Sequence, residues 1–199
     1  MTILQSKSPN GNPFLWIWIF LKGIFLLCKK SYPRYLVLEY GVDRPGEMDF
    51  LIDIAPPDIA ILLNVSKNHV VNFPVFRDYI EEKMKLAKVA KKIIYNKDDK
   101  SFENNIEKLT GKEIVSYGIK NKDGDIFASD IVAHLEDLSF SLIQGEESRE
   151  MHYPLIGKFQ VYNILPVFAL GVSLGMDLES IRERLTNIHP QKGRGSVLK

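Results

Sequence analysis

The chain has 199 residues, of which 45% are hydrophobic and 26% are charged, as is typical of one globular domain or slightly more. Lysine and arginine (26) balance aspartate and glutamate (25) to a net charge of +1, which argues against a domain that coats nucleic acid. Cys28 is the single cysteine, so a secreted disulfide scaffold is excluded and a reducing, cytoplasmic compartment is expected.

An apolar run near the amino end, Phe14–Cys28, admits three interpretations. It has 15 positions with Lys22 inside, whereas a membrane-spanning helix needs about 20 apolar residues. The basic pair Lys29–Lys30 follows the run instead of preceding it, unlike the pattern of a signal peptide. A membrane-surface helix stays open because indoles favour the interface. We predict the third alternative, a buried helix packed on a sheet.

From Tyr35 onward, short runs of strand-forming residues alternate with helical patterns. The predicted strands are Tyr35–Tyr40, Asp58–Leu63, Lys92–Asn96 and Glu113–Tyr117, and the predicted helices are Glu47–Ala55 and Pro74 to about Ala90. Strands separated by helices of this size are typical of βαβ units with right-handed crossovers. The predicted fold class is therefore α/β, with a doubly wound, mostly parallel sheet flanked by helices.

The pattern changes after Gly124. Three short runs of alternating polarity predict a small antiparallel patch at the sheet edge: Asp125–Ala133, Leu138–Gln144 and Arg149–Pro154. Two helices then follow, Gly157–Gly175 and Leu178–Asn187, with Asp177 as the N-cap of the second.

Ligands bind beyond the carboxyl ends of the strands in such a sheet. Glu39 lies at the end of the first predicted strand, Asn64 follows the second, and His69 lies five residues later in a loop. A carboxylate and an imidazole at neighbouring strand ends suit a shared divalent cation such as Mg²⁺. The alternative is a solvated glutamate and an ordinary loop histidine.

A lysine lies beside the apolar stripe of the helix that begins at Pro74. At about 100° per residue, Lys83 falls at the edge of a stripe formed by Phe76, Ile80, Met84 and Ala87. Such a lysine either reacts as a neutral amine or extends its stem along the helix surface to solvent, and the residues alone favour the second.

Three common catalytic or nucleotide-binding motifs do not occur in the sequence. There is no G-x-x-x-x-G-K-[ST] phosphate loop, no G-x-G-x-x-G after a strand and no G-x-S-x-G elbow. A dinucleotide site and a serine-hydrolase elbow are therefore not expected.

Six segments in order resemble the central domain of the Mur ligases, over roughly Tyr35 to Arg194. They are LEYGVDRPGEM (38–48), PPDIAILLNVSKNH (56–69), EKMKLAK (82–88), YNKDD (95–99), GKFQVYN (157–163) and HPQKGR (189–194). The LE-x-G-x-x-x-PGE form of the first segment is similar to the branch that adds D-alanyl-D-alanine to a UDP-linked muramoyl tripeptide.

The resemblance implies ATP-dependent amide formation through an acyl phosphate in peptidoglycan precursor synthesis. It implies that Glu39 holds the Mg²⁺ that bridges the ATP phosphates and that His69 holds a second Mg²⁺. It further implies that Lys83 is the family's carbamylated lysine, that Asn163 contacts the nucleotide, and that Arg194 contacts a phosphate. The expected partners are the nucleotide and a UDP-linked muropeptide, with no nucleic acid.

The sequence departs from the family pattern at three places. The phosphate loop would precede residue 1, the third domain would follow Arg194, and Phe159–Gln160 stands where the family motif has His-Asn. We therefore expect a ligase fragment that is inactive alone. Its expected parts are residues 1–34 as the remnant of a nucleotide-binding region, 35–194 as the central ATP-binding domain, and 195–199 as the start of a third domain.

Two other functions stay open. One is a non-catalytic Mur-like module that binds a partner or a membrane surface through the exposed aromatic residues of Phe14–Cys28. The other is a Mur-like ligase that acts on a different carboxylate, such as a folate substrate of folylpolyglutamate synthesis.

Overall fold

The computed structural model describes residues 11–27, 33–66, 72–186 and 188. The chain forms two compact units, residues 1–39 and residues 40–199. The assignment of residues 1–34, 35–194 and 195–199 to parts of a larger ligase stays a prediction.

Among the described residues of the first unit there is one helix, α1 (Pro13–Leu27). Asn12 caps it, because its side-chain oxygen accepts hydrogen bonds from the backbone nitrogens of Phe14 at 3.0 Å and Leu15 at 3.4 Å. Large apolar side chains are exposed on all sides of the helix: Phe14, Leu15, Trp16, Ile17, Trp18, Phe20, Leu21, Ile24 and Phe25.

The predicted burial of the Phe14–Cys28 helix is wrong for the residues that the structure describes. A helix that is apolar all round becomes buried only where other elements cover every side, and the described residues of the first unit contain no sheet on which it packs. Within the described part of the chain, no helix is long and apolar enough to cross a membrane.

The predicted strand Tyr35–Tyr40 is also wrong. The segment is not a strand, and Tyr35, Leu36, Val37 and Leu38 are exposed. A strand requires a ladder partner, and none of the described residues pairs with this segment. The strand-forming residues of this segment give no information on whether a neighbouring strand is available to pair with it.

The second unit is an α/β fold with six strands and five helices among its described residues. Its strands are β1 (Ile59–Leu62), β2 (Lys92–Asn96), β3 (Glu113–Gly118), β4 (Ile126–Ala133), β5 (Leu138–Gln144) and β6 (Glu147–Tyr153). Its helices are α2 (Glu47–Ile54), α3 (Phe76–Val89), α4 (Lys100–Ile106), α5 (Gln160–Ser173) and α6 (Leu178–Leu185).

The strands lie side by side in chain order, from β1 to β6. Strands β1 to β4 pair in parallel, whereas β5 and β6 pair antiparallel at the far edge. A bulge between Ser129 and Val132 interrupts the β4–β5 ladder, next to Asp130 with its positive φ of 52°. The predicted α/β sheet with an antiparallel edge patch is confirmed.

Alternate residues of the parallel strands pack against different helices, because successive side chains point to opposite faces of a sheet. On one face, Ile93 packs with residues of α3 and α4 such as Met84 and Phe102. On the other face, Ile94 packs in a core with residues of α5 such as Ile164. The sheet is thus the middle layer between helices, and the carboxyl ends of its parallel strands meet at one edge.

Candidate functional site

A cavity of about 200 Å³ opens at the carboxyl ends of β1 and β2. It is lined by Leu63 and Asn64 after β1, by Asn96 at the end of β2, and by Phe159, Tyr162 and Asn163 at the start of α5. Ligands bind at this end of the strands in open α/β sheets. The cavity is therefore the candidate site.

The buried end of β2 forms the floor of this cavity. Asn96 is a buried polar residue, and its side-chain oxygen accepts a hydrogen bond from the backbone nitrogen of Asp98 at 3.0 Å. This local bond turns the chain directly after the strand. The turn presents two carboxylates, Asp98 and Asp99, to neighbouring segments.

Asp98 joins the cavity wall to the loop after β3. Its carboxylate accepts hydrogen bonds from the backbone nitrogens of Ile119, Lys120 and Asn121, and from the Tyr162 hydroxyl at 2.8 Å. Burial raises the pKa of Asp98, but these four donors outweigh it and hold the pKa below its usual value. Burial, together with the Asp98 carboxylate, raises the pKa of Tyr162, so the hydroxyl stays a donor at neutral pH.

Asp99 ties the loop after β1 to the start of α4. One carboxylate oxygen accepts from the backbone nitrogen of Val65 at 2.7 Å, and the other caps the helix by accepting from Ser101 at 2.9 Å. Tyr117 fixes the same end of β1, because its hydroxyl donates to the Leu62 carbonyl at 3.3 Å. The strand end that carries Asn64 is thus held from two directions.

Of the predicted site residues, Asn163 lies in this cavity. It is exposed in the first turn of α5, and its side-chain nitrogen donates to Gln160 Oε1 at 3.0 Å. The Gln160 side chain, which is buried, therefore orients the Asn163 amide toward the strand ends. One oxygen and the second N–H of that amide are left for a ligand.

None of the other predicted site residues is among the described residues that line the cavity. Glu39 is exposed in the first unit, and His69 and Arg194 lie outside the described residues. Within the part of the chain that is described, no group of three or more histidine, cysteine, aspartate or glutamate side chains is placed to hold a metal. The magnesium site at Glu39 and His69 stays a prediction.

Lys83 lies on α3 and is not among the described residues that line the cavity. Its side chain is half-buried, with the ammonium nitrogen 5.0 Å from the centroid of the Tyr79 ring. Such a cation–π contact fixes the side chain along its own helix. Carbamylation would replace the cation with an anion and abolish the contact.

Three residues of the site received no role from the sequence: Asn96, Asp98 and Tyr162. Asn96 could have been predicted, because it ends the apolar run KIIYN and a polar side chain at a buried position needs a hydrogen-bond partner. The link between Asp98 and Tyr162 spans 64 positions and left no local pattern to detect.

The residues around the cavity fit the base of a nucleotide better than its phosphates. Among the described residues, the lining offers the amides of Asn64, Asn96 and Asn163 and the rings of Phe159 and Tyr162, and none of these described residues is charged. Amides and ring faces are the groups that recognise heteroaromatic bases. The adjacent Asp98 carboxylate is not suited to Mg²⁺, because its lone-pair sites already accept from three backbone N–H groups and the Tyr162 hydroxyl.

Comparisons with known proteins identify the family. A UDP-N-acetylmuramoyl-L-alanyl-D-glutamate–2,6-diaminopimelate ligase from Bacillus velezensis is 30% identical over 69% of this chain and 29% of its own length. A UDP-N-acetylmuramoyl-tripeptide–D-alanyl-D-alanine ligase from Buchnera aphidicola is 25% identical over 100% of this chain and 42% of its own. The chain thus spans less than half the length of these relatives.

Solved structures agree on the fold. MurF from Acinetobacter baumannii superposes with a TM-score of 0.77 at 24% identity, over 91% of this chain and 40% of that one. MurF ligase from Thermotoga maritima, determined in complex with ADP, superposes with a TM-score of 0.75 at 23% identity, over 90% of this chain and 41% of that one. The Mur ligase middle domain family matches residues 21–171. This chain belongs to the Mur ligase family and carries its middle domain.

Proposed function

We propose that this chain supplies the base-binding part of the nucleotide site of an ATP-dependent amide ligase in peptidoglycan precursor synthesis. The observation that carries the proposal is the position of Asn163 in a cavity at the carboxyl ends of β1 and β2, beside two further amides. The resemblance to the family motif assigns nucleotide contact to this same asparagine.

The reaction we propose is the addition of D-alanyl-D-alanine to a UDP-linked muramoyl tripeptide. Two observations favour it over the addition of a diamino acid. The Buchnera D-alanyl-D-alanine ligase aligns with 100% of the chain, whereas the diaminopimelate ligases from Bacillus velezensis and Caldanaerobacter subterraneus align with 69% and 87%. The segment from Leu38 to Met48 also has the form typical of the D-alanyl-D-alanine branch.

In such a ligase, bound ATP supplies the phosphoryl group that activates a carboxylate for attack by an amine. The described residues contribute the position of the base: Asn163 offers amide hydrogen bonds, and Asp98 holds Tyr162 against the cavity. Glu39 and His69 as Mg²⁺ ligands and Arg194 as a phosphate contact complete the proposal. We expect no ligation by this chain alone, because its 199 residues contain no G-x-x-x-x-G-K-[ST] loop.

Titration of the chain with ADP, followed by calorimetry or by protein NMR, tests the proposal. We expect binding, and we expect Asn163→Ala to weaken it by roughly tenfold, because a lost hydrogen bond to a buried base costs about 1 to 2 kcal/mol. Asn104→Ala is the matched control, since Asn104 is an exposed amide on α4 outside the cavity. An ADP affinity that does not change in Asn163→Ala, or no binding at all, would contradict the proposal.

A separate NMR experiment tests whether Lys83 is carbamylated. We expect ¹³C-bicarbonate to give a protein carbamate NMR signal that Lys83→Arg removes and Lys88→Arg leaves, because Lys88 is exposed on the same helix. If the unmodified chain gives no carbamate signal, the proposal that Lys83 is carbamylated is wrong.

A further inference from the structure

A buried tyrosine holds the side chain of Lys83 on α3. The Lys83 ammonium nitrogen lies 5.0 Å from the centroid of the Tyr79 ring, which is one helical turn away. Among the described residues, no carboxylate forms an ion pair with Lys83. The face of the Tyr79 ring is therefore the group that stabilises this charge within the described part of the chain.

The Tyr79 ring is fixed by its neighbours. It is 4% exposed and belongs to a core cluster that also contains Phe73. The centroid of the Phe73 ring lies 5.0 Å from that of Tyr79, and the centroid of the Phe76 ring lies 6.5 Å from it. A ring in a close-packed interior cannot turn away without displacing these neighbours. When the contact breaks, the lysine is thus the partner that moves, because its four-carbon stem is flexible.

Lys85, two positions further along α3, is held in a different way. Its ammonium nitrogen lies 2.6 Å from an oxygen of Asp49 and 2.7 Å from an oxygen of the buried Glu82. The hydrogen bonds to Asp49 and then to Glu82 raise the pKa of Lys85, so this side chain remains an ammonium at neutral pH. One ring holds a charge less firmly than two hydrogen-bonded carboxylates do. Of these two lysines, Lys83 is therefore the one that loses its proton more readily.

We propose that Tyr79 is a positioning residue that opposes the carbamylation of Lys83, so that the lysine leaves the ring when it becomes modified. The inference rests on the proposed function, since it concerns the carbamylated lysine of that proposal. In the reaction, the neutral Nζ atom attacks the carbon of CO₂, an N–C bond forms as one C–O π bond opens onto oxygen, and the nitrogen gives a proton to water. The product is an anion, which the negative face of an aromatic ring repels. Tyr79 thus stabilises the ammonium form and disfavours the carbamate.

NMR with ¹³C-bicarbonate, which supplies CO₂, tests the inference on the full chain. We expect Tyr79→Leu to increase the carbamate signal of Lys83 roughly threefold at constant pH and bicarbonate, because it removes a contact that only the ammonium makes. Tyr79→Phe keeps the ring face and should give the signal of the unmodified chain. Leu86→Ala is the matched control for lost packing, since Leu86 is buried in the same cluster and on the same helix. It should leave the signal unchanged, whereas Lys83→Arg should remove it.

Proton NMR of the unmodified chain gives a second test that does not depend on how well the Tyr79→Leu variant folds. The ring shifts the side-chain protons of Lys83 upfield, and we expect the carbamate form to lose that shift. If Tyr79→Leu and the unmodified chain give equal carbamate signals, or if the carbamate form keeps the upfield shift, the inference alone is overturned. If the unmodified chain gives no carbamate signal, carbamylation of Lys83 in the proposed function fails and the inference fails with it.

Discussion

Asp98 satisfies hydrogen-bond donors from two other parts of the chain. It accepts three backbone N–H groups of residues 119–121 and the Tyr162 hydroxyl. We expect Asp98→Ala to lower the free energy of unfolding by about 2 to 4 kcal/mol, because it leaves partly buried donors without an acceptor. Urea denaturation at pH 7 measures the difference, and Asp53→Ala, at an exposed aspartate of α2, should change stability little.

The contribution of Asp98 to the free energy of unfolding decreases as the pH falls. Its pKa is lower in the folded chain than its ordinary value, so its stabilisation is complete above the pKa of the unfolded chain and is lost as the pH falls through the folded pKa. The stability difference between the unmodified chain and Asp98→Ala should therefore shrink in acid. A difference that is constant from pH 7 down to the acid transition would contradict this role.

The sequence singled out Asn64 and Asn163 among the residues that line the site, but it gave no role to Asn96 and Tyr162, for a physical reason. Asn163 stands within a recognisable motif, so it could be singled out. Asn96 and Tyr162 acquire their roles by meeting across the sheet and α5, through Asp98, which lies 64 positions from Tyr162. Residue order carries no direct record of such contacts.

Helix α2 depends on a residue of another helix for its amino end. Gly46 precedes it and offers no side chain, and Glu82 of α3 instead accepts the backbone N–H groups of Gly46 and Met48, each at 2.9 Å. Lys85 bridges the same carboxylate to Asp49, and these hydrogen bonds, first to Asp49 and then to Glu82, raise the pKa of Lys85. A buried carboxylate at a helix amino end also suits the helix dipole.

We expect Glu82→Ala to destabilise the chain by about 2 to 4 kcal/mol, since it leaves two N–H groups unsatisfied and removes one of the two carboxylate partners of Lys85. The amide of Met48 should lose hydrogen-exchange protection first. Glu81→Ala is the adjacent control: its ion pair with Arg77 is exposed on both sides, so its loss should cost less than about 1 kcal/mol. If the two variants lose equal free energy of unfolding, Glu82 does not join α2 to α3 in this way.

For individual helices and strands, the sequence predicted correctly those that a pattern within the element itself marks. The apolar run of β2 gave its bounds at Lys92 and Asn96 correctly, and the N-cap Asp177 marked the start of α6. Helix α4 was missed because its seven residues carry one apolar pair, Phe102 and Ile106, too few for a periodic pattern. The start of α4 could have been predicted from Asp99, which is a typical N-cap residue.

The whole chain presents a large apolar surface on its first unit. Trp16 and Trp18 of α1 are 58% and 62% exposed, within a helix whose other large side chains are also exposed. Contiguous apolar surface of this kind drives association. Contact of this helix with a membrane surface stays a prediction, to be tested by liposome flotation.

We expect the isolated chain to self-associate in a concentration-dependent way, because association removes apolar area from water at about 25 cal/mol per Å². Trp16→Lys combined with Trp18→Lys should shift sedimentation toward the monomer, since it places charge where the apolar surface is densest. Leu135→Lys is the control, because Leu135 is a single exposed leucine, 87% accessible, between β4 and β5. If both variants sediment like the unmodified chain, α1 is not the contact that drives association.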